Sequence, residues 1–227
     1  GTIASLGDAT LTATTGEING TTVQTDAAAT LWAAQDLTGT SVDATNAYLT
    51  AGWDLTGNAV DAVAAAVLTA AQDVTGNEVD ALTIVIAATA DNVVGNALTS
   101  GSWIDIDAEE DVTGNSLDAA TWVTIDTAQN AAGNQITALE TVAITTTLDA
   151  TGNLVDAGGD VTITATADAA GNVIDTGANA VVTGANVQGG SVNAAGTADL
   201  TATVGNVDGI VVLAGGAVTA LAEQSVT

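Results

Sequence analysis

The sequence contains no lysine, arginine or histidine among its 227 residues, against 27 aspartate and glutamate residues. Nucleic-acid binding is excluded in its usual form, because no cationic side chain is present to neutralise phosphate. Cysteine, proline, methionine and phenylalanine are absent as well. Disulfides, catalytic triads, Schiff bases and histidine- or cysteine-based metal sites therefore have no residues to build them. We expect a protein that is not an enzyme and that requires no cofactor.

Long apolar runs are also missing, although 47% of the residues are hydrophobic. Without a stretch of about 18 apolar residues, we expect no membrane-spanning helix. The formal net charge of −27 has no cationic side chains to compensate it. The protein must therefore rely on dissolved salt or bound cations to screen its own charge.

Glycine is plentiful, and one glycine returns about every 19 residues. An aspartate often lies three residues before this repeat glycine, and an aliphatic residue lies three residues after it. A fixed short period of this kind is typical of solenoids. The repeat glycines are Gly20, Gly39, Gly57, Gly76, Gly95, Gly114, Gly133, Gly152, Gly171, Gly189 and Gly209.

Apolar residues within one period are spaced by two rather than by 3.6, which predicts strands. Residues 121–127 and 160–165 alternate β-branched with polar side chains, as strands with one buried face do. Glycine and asparagine separate the strands, where a left-handed backbone turns a corner. The sequence therefore predicts an all-β protein: a single parallel β-helix, or β-solenoid, of about eleven 19-residue coils. It has no disulfides, and residues 1–227 form one continuous repeat domain.

Two segments carry a resemblance to a known family. Residues 148–165 read Leu-Asp-Ala-Thr-Gly-Asn-Leu-Val-Asp-Ala-Gly-Gly-Asp-Val-Thr-Ile-Thr-Ala, and residues 188–202 follow the same pattern. The pattern resembles the haemagglutinin repeat of filamentous haemagglutinin-type exoproteins, over nearly all of the chain. The resemblance implies a right-handed parallel β-helix, export across a bacterial outer membrane, and a role as the shaft of an adhesin or surface fibre.

Acidic residues recur three residues before and four residues after the repeat glycine. If the coils stack in register, these carboxylates approach to about 5 Å and repel each other. Calcium between coils would relieve the repulsion; alternatively, the aspartates cap turns and keep the protein soluble. The densest cluster, and the best candidate for a site for calcium or another cation, consists of Asp105, Asp107, Glu109, Glu110 and Asp111.

Threonine precedes and asparagine follows several of the repeat glycines. If this stretch is extended, both side chains point outward and repeat about every 4.8 Å between coils. Such a lattice resembles the face of bacterial ice-binding adhesins, whereas asparagines beside glycine also form amide ladders along solenoids. The candidate ligand face consists of Thr56, Asn58, Thr75, Asn77, Thr113, Asn115, Thr151 and Asn153.

Two tryptophans form the last candidate site. Trp103 and Trp122 are 19 residues apart, and each lies eight residues after a repeat glycine. We expect them to stack on neighbouring coils and to point outward. Exposed tryptophans can hold a sugar ring, which makes the pair a candidate glycan contact, whereas packing of one ring on the other needs no ligand.

These patterns predict a structural and adhesive shaft of a secreted or surface-anchored bacterial fibrous protein. The expected location is extracellular or at the cell surface, and the expected partners are host or cell-surface glycans or proteins. An alternative is a subunit that binds its own copies end to end in an extracellular filament or sheath, because the ends of a solenoid expose unpaired strand edges. A further alternative is an ice-binding solenoid that uses the Thr-Gly-Asn face.

Overall fold

A computed structural model describes all residues 1–227, which form strands and turns without a helix. The chain folds as a parallel β-solenoid of about 12 turns of about 19 residues. The predicted all-β parallel β-solenoid is confirmed, and its first turn is formed by the first residues, in which Thr2 pairs with Thr22. No helix has the length and apolar character needed to cross a membrane.

The chain divides into two compact units, Gly1–Glu109 and Glu110–Thr227. The continuous single domain stays a prediction. Thirteen strands form the first unit: β1 (Thr2–Ser5), β2 (Ala9–Ala13), β3 (Ile18–Asn19), β4 (Thr22–Thr25), β5 (Ala28–Ala33), β6 (Leu37–Thr38), β7 (Ser41–Ala51), β8 (Leu55–Thr56), β9 (Ala59–Ala70), β10 (Val74–Thr75), β11 (Glu78–Ala88), β12 (Val93–Val94) and β13 (Ala97–Ala108).

Eighteen strands form the second unit. They are β14 (Val112–Thr113), β15 (Ser116–Ala119), β16 (Val123–Thr127), β17 (Ala131–Ala132), β18 (Gln135–Ala138), β19 (Val142–Thr146), β20 (Ala150–Thr151), β21 (Leu154–Ala157), β22 (Val161–Ala165), β23 (Ala169–Ala170), β24 (Val173–Thr176), β25 (Ala180–Gly184), β26 (Val187–Gln188), β27 (Ser191–Ala194), β28 (Ala198–Ala202), β29 (Val207–Asp208), β30 (Val211–Ala214) and β31 (Val218–Ala222).

Each turn contributes strands to three faces. In the second unit, the first face begins after the repeat glycine and stacks β15, β18, β21, β24, β27 and β30 in parallel. The second face stacks β16, β19, β22, β25, β28 and β31. The third face, just before the glycine, consists of the two-residue strands β14, β17, β20, β23, β26 and β29.

The first unit has the same three faces. Its third face consists of β3, β6, β8, β10 and β12. In the later turns, one strand runs across both other faces, so that β7, β9, β11 and β13 each begin on the first face and end on the second. The register shifts at the corner between these two faces, for example between Ala81 and Thr83 of β11.

The repeat glycine forms the corner between the third and first faces. Its φ angle is positive in every turn, from 56° to 66°. Glycine reaches this left-handed conformation without the steric penalty that a Cβ brings. The predicted left-handed corner is confirmed.

Stacked aliphatic columns fill the interior. Alternate side chains of each strand point inward, as the spacing of two predicts, and they are almost completely buried. On the second face of the first unit, this column consists of Leu31, Leu49, Leu68, Ile86 and Ile106.

The position nine residues after the repeat glycine is not buried in every turn. Val85, nine residues after its repeat glycine, points outward between the buried Ile84 and Ile86. Between the first and second faces, this turn has one corner residue, Leu82, whereas the preceding turn has two, Val63 and Ala64. The missing corner residue moves the alternation by one position, although the glycine period is unchanged.

Candidate functional site

The asparagine that follows the repeat glycine points into the protein. In the first unit, Asn58, Asn77 and Asn96 are each only 1% exposed. The Nδ2 atom of Asn58 donates hydrogen bonds of 2.9 Å to Oδ1 of Asn77 and to the carbonyl oxygen of Leu37. The backbone N–H of Asn58 donates to the same Oδ1 atom at 2.9 Å. Asn77 repeats these contacts with Asn96 and with the carbonyl oxygen of Leu55.

The second unit contains the same inner asparagine ladder, from Asn115 through Asn134 and Asn153 to Asn172. The Nδ2 atom of each of the first three donates to Oδ1 of the next at 3.0 Å. Every buried side-chain nitrogen and oxygen of the protein has a hydrogen-bond partner. The ladder therefore satisfies polar groups that would otherwise destabilise the interior.

This geometry corrects the predicted Thr-Gly-Asn face. The threonines Thr56, Thr75, Thr113 and Thr151 are half-buried at the surface, but the asparagines Asn58, Asn77, Asn115 and Asn153 are at most 1% exposed. The prediction that both side chains point outward is wrong. It assumed an extended backbone, whereas the left-handed glycine between them turns the chain. The alternative prediction, an amide ladder, is confirmed.

A second ladder runs along the half-buried aspartates three residues before the glycine. The Oδ1 atom of Asp54 accepts a hydrogen bond of 3.2 Å from the backbone N–H of Asp73. In the next turn, Oδ1 of Asp73 accepts from both the backbone N and Nδ2 of Asn92, each at 3.0 Å. In the second unit, Oδ1 of Asp149 accepts a hydrogen bond of 2.8 Å from the backbone N–H of Asp168. These carboxylates therefore accept backbone N–H groups of the next turn, and the predicted solubilising role of the acidic residues stays a prediction.

The aspartates four residues after the glycine form an exposed column on the first face. Asp43, Asp61 and Asp80 lie directly opposite one another on successive strands. Asp61, Glu78 and Asp80 line a shallow depression of about 300 Å³. Like charges at such close positions repel, so this column is a surface that dissolved cations screen.

The predicted cation cluster is divided between the two units. Asp105 and Asp107 occupy outward positions of β13, and Glu109 ends the first unit. Glu110 and Asp111 belong to the second unit, where Oδ1 of Asp111 accepts hydrogen bonds from N and Nδ2 of Asn130 at 3.1 and 2.8 Å. No group of three or more acidic side chains is arranged to hold a metal ion. The cation site stays a prediction.

Trp103 and Trp122 both occupy outward positions, beside the buried Ile104 and Val123. Their predicted outward orientation is confirmed, and both are half-buried. They belong to different units. The ring-on-ring stacking and the glycan contact predicted for this pair stay predictions.

The sequence interpretation missed two other aromatic residues on the second face of the first unit. Trp32 and Tyr48 are 39% and 40% exposed. Trp32 pairs with Thr50, two residues beyond Tyr48, so the two aromatic residues are diagonal neighbours on adjacent strands. The signal was present in β5, where Thr30 and Trp32 alternate with buried residues, but the two rings are not one period apart and the glycine alignment did not reveal them.

No protein-family model matches the chain, and no similar curated protein or solved structure was found. The parallel β-solenoid implied by the haemagglutinin-repeat resemblance is confirmed, and no family is identified. The geometry of the ladders and faces is therefore the basis for a functional proposal.

Proposed function

We propose that this chain is a structural shaft, a load-bearing and non-catalytic segment of a fibrous protein that acts outside the cell or at its surface. The inner asparagine ladder carries the proposal. It adds side-chain hydrogen bonds between turns to those of the backbone, in a buried position where water does not compete for them.

The number of parallel hydrogen bonds between turns supports a mechanical role. Strands β9 and β11 pair at ten positions on two faces, and β8 and β10 pair at two more. Asn58 and Asn77 add two further contacts between the same pair of turns. Separating two turns requires all of these backbone and side-chain hydrogen bonds to break together, although each single hydrogen bond contributes only about 0.5–1.5 kcal/mol to stability.

The composition suits exposure outside the cell. Proteases that cleave after lysine or arginine find no site, because neither residue is present. The 27 acidic residues keep the surface hydrated and oppose aggregation. Residues for nucleophilic catalysis by thiol, amine or histidine-activated hydroxyl are absent, which favours a passive role over an enzymatic one.

Single-molecule stretching tests the proposal. With handles at the two termini, we expect abrupt ruptures whose contour-length increments are multiples of about 65 Å, the extended length of one 19-residue turn. Smooth extension without ruptures, as in an unfolded chain, would contradict a load-bearing role. Incubation with neutral and acidic polysaccharides should release no reducing ends, and turnover of any of them would contradict the non-catalytic part.

A further inference from the structure

The second face of the first unit is uncharged over four successive turns. We call this surface the neutral face. It comprises the outward side chains of β5, of residues 46–50 in β7, of residues 65–69 in β9 and of residues 83–87 in β11. These side chains are alanine, valine, threonine, asparagine, tryptophan and tyrosine. Over the same turns, the first face carries Asp43, Asp61, Glu78 and Asp80.

Aromatic side chains concentrate on this surface. Of the four tryptophans and one tyrosine in the chain, Trp32 and Tyr48 lie on the neutral face, and Trp103 occupies an outward position of the next strand, paired with Thr83. Trp53, which is 48% exposed, follows the end of β7 at the edge of the face. Trp32 and Tyr48 are thus adjacent exposed rings on an uncharged surface, and a patch of this kind marks an interaction site.

Charge restricts the class of partner. A polycation would be attracted to the acidic columns of the other faces rather than to the neutral face, and a polyanion would be repelled by a protein of net charge −27. A neutral partner fits a surface from which charge is absent. The area of the neutral face also limits the size of the partner. Four turns and strands of six residues give a face of about 19 by 20 Å, or roughly 400 Å².

That area argues against a second copy of this chain. A stable protein dimer buries about 800 Å² on each partner, so the neutral face is about half as large as required. A short segment of an extended polymer needs less area. The two copies would also bring the same negative charge together, which opposes their association.

We propose that the neutral face binds a neutral polysaccharide whose rings carry their substituents equatorially, as in a β-1,4-glucan. Such a ring exposes C–H groups on both flat sides, and these pack on the faces of aromatic side chains. Trp32 and Tyr48 lie about 8 Å apart on the diagonal between adjacent strands, and they stack on rings of one glucan chain. The hydroxyls of Thr30 and Thr50, which pair with Tyr48 and Trp32, donate to and accept from the sugar hydroxyls.

The same rings distinguish this surface from an ice-binding lattice. An ordered water layer requires a flat array of equal side chains. Here Trp32 interrupts the column between Thr12 and Thr50, and Tyr48 interrupts the neighbouring column between Thr30 and Val67. A flexible sugar chain follows such protruding rings, whereas a rigid lattice does not.

The test is binding of cellohexaose and of insoluble cellulose by the full chain and by the double variant Trp32→Thr with Tyr48→Thr. Threonine is already the neighbour of both residues within their columns, so the fold should be retained, which circular dichroism verifies. We expect at least a tenfold loss of affinity in the double variant. The matched control is Leu154→Thr, which removes a large exposed apolar side chain from the first face of the second unit, and it should bind like the original chain.

Three outcomes would overturn the proposal. One is the absence of cellohexaose and cellulose binding by the original chain; another is loss of binding in Leu154→Thr but not in the double variant. The third is that the double substitution abolishes self-association or ice growth inhibition while glucan binding is absent. The shaft function does not depend on this inference. The rupture pattern under force should be the same for the double variant, so failure of glucan binding and failure of the shaft proposal are distinguishable.

Discussion

Replacing Asn77 with alanine should interrupt the inner asparagine ladder at one turn. The substitution removes the Oδ1 atom that accepts from both the backbone N–H and Nδ2 of Asn58 at 2.9 Å. It also removes the Nδ2 atom that donates to the carbonyl oxygen of Leu55 at 2.9 Å and to Oδ1 of Asn96 at 3.0 Å. Four hydrogen bonds of the folded protein are lost, and all lie in the interior.

The cost comes chiefly from the groups that are left without partners. Asn58 keeps its bond to the carbonyl oxygen of Leu37, but its backbone N–H and one amide proton lose their acceptor. A buried polar group without a partner costs about 1–3 kcal/mol. With two donors affected, we expect the free energy of unfolding of the first unit to fall by about 2–6 kcal/mol. Asn96 still accepts from the backbone N–H of residue 77, so the ladder resumes one turn later.

Urea unfolding followed by circular dichroism measures the loss, and hydrogen exchange assigns it to the turns around residue 77. The matched control is Asn193→Ala, because Asn193 is exposed and its amide donates only to the surface carboxylate of Asp175 at 2.9 Å. That substitution should cost less than about 0.5 kcal/mol. If the two variants lose equal stability, the buried ladder does not stabilise the fold more than a surface hydrogen bond does.

Four further predictions concern two glycines, the acidic cluster and the ends of the solenoid. Gly76→Ala should lower the free energy of unfolding by about 1–2 kcal/mol because of the positive φ. Steric overlap adds nothing, since a Cβ at this position meets no atom within 4 Å. Gly52→Ala should cost more in the same urea assay, because its Cβ would overlap the carbonyl oxygen of Ala34; a smaller loss than for Gly76→Ala would contradict this. A cation site at Asp105 and its neighbours predicts a higher melting midpoint in calcium than in chelator at equal ionic strength, and equal midpoints would leave only screening. End-to-end assembly predicts fibres in negative-stain microscopy at micromolar concentration, whereas monodisperse particles would contradict it.

The sites were less predictable from sequence than the fold. For the Thr-Gly-Asn positions, the residue types were recognised, but the direction of Asn77 depends on how far the left-handed Gly76 rotates the chain. The glycine period also does not fix the alternation within a turn, because Val85 points outward between the buried Ile84 and Ile86. Trp32 and Tyr48 lie in different turns and different columns, so no alignment on the repeat glycine places them together.

The sequence by itself determined the period, the strand content and the parallel stacking. A glycine every 19 residues and an apolar spacing of two leave few other ways to bury the aliphatic side chains. Only the tertiary structure decided whether each polar side chain points into the interior or toward solvent. That choice depends on the backbone angle at each corner and on the number of corner residues, as Leu82 shows. The tertiary structure also placed the uncharged outward residues of four turns on one surface, because neighbouring positions on that face are about a full turn apart in the sequence.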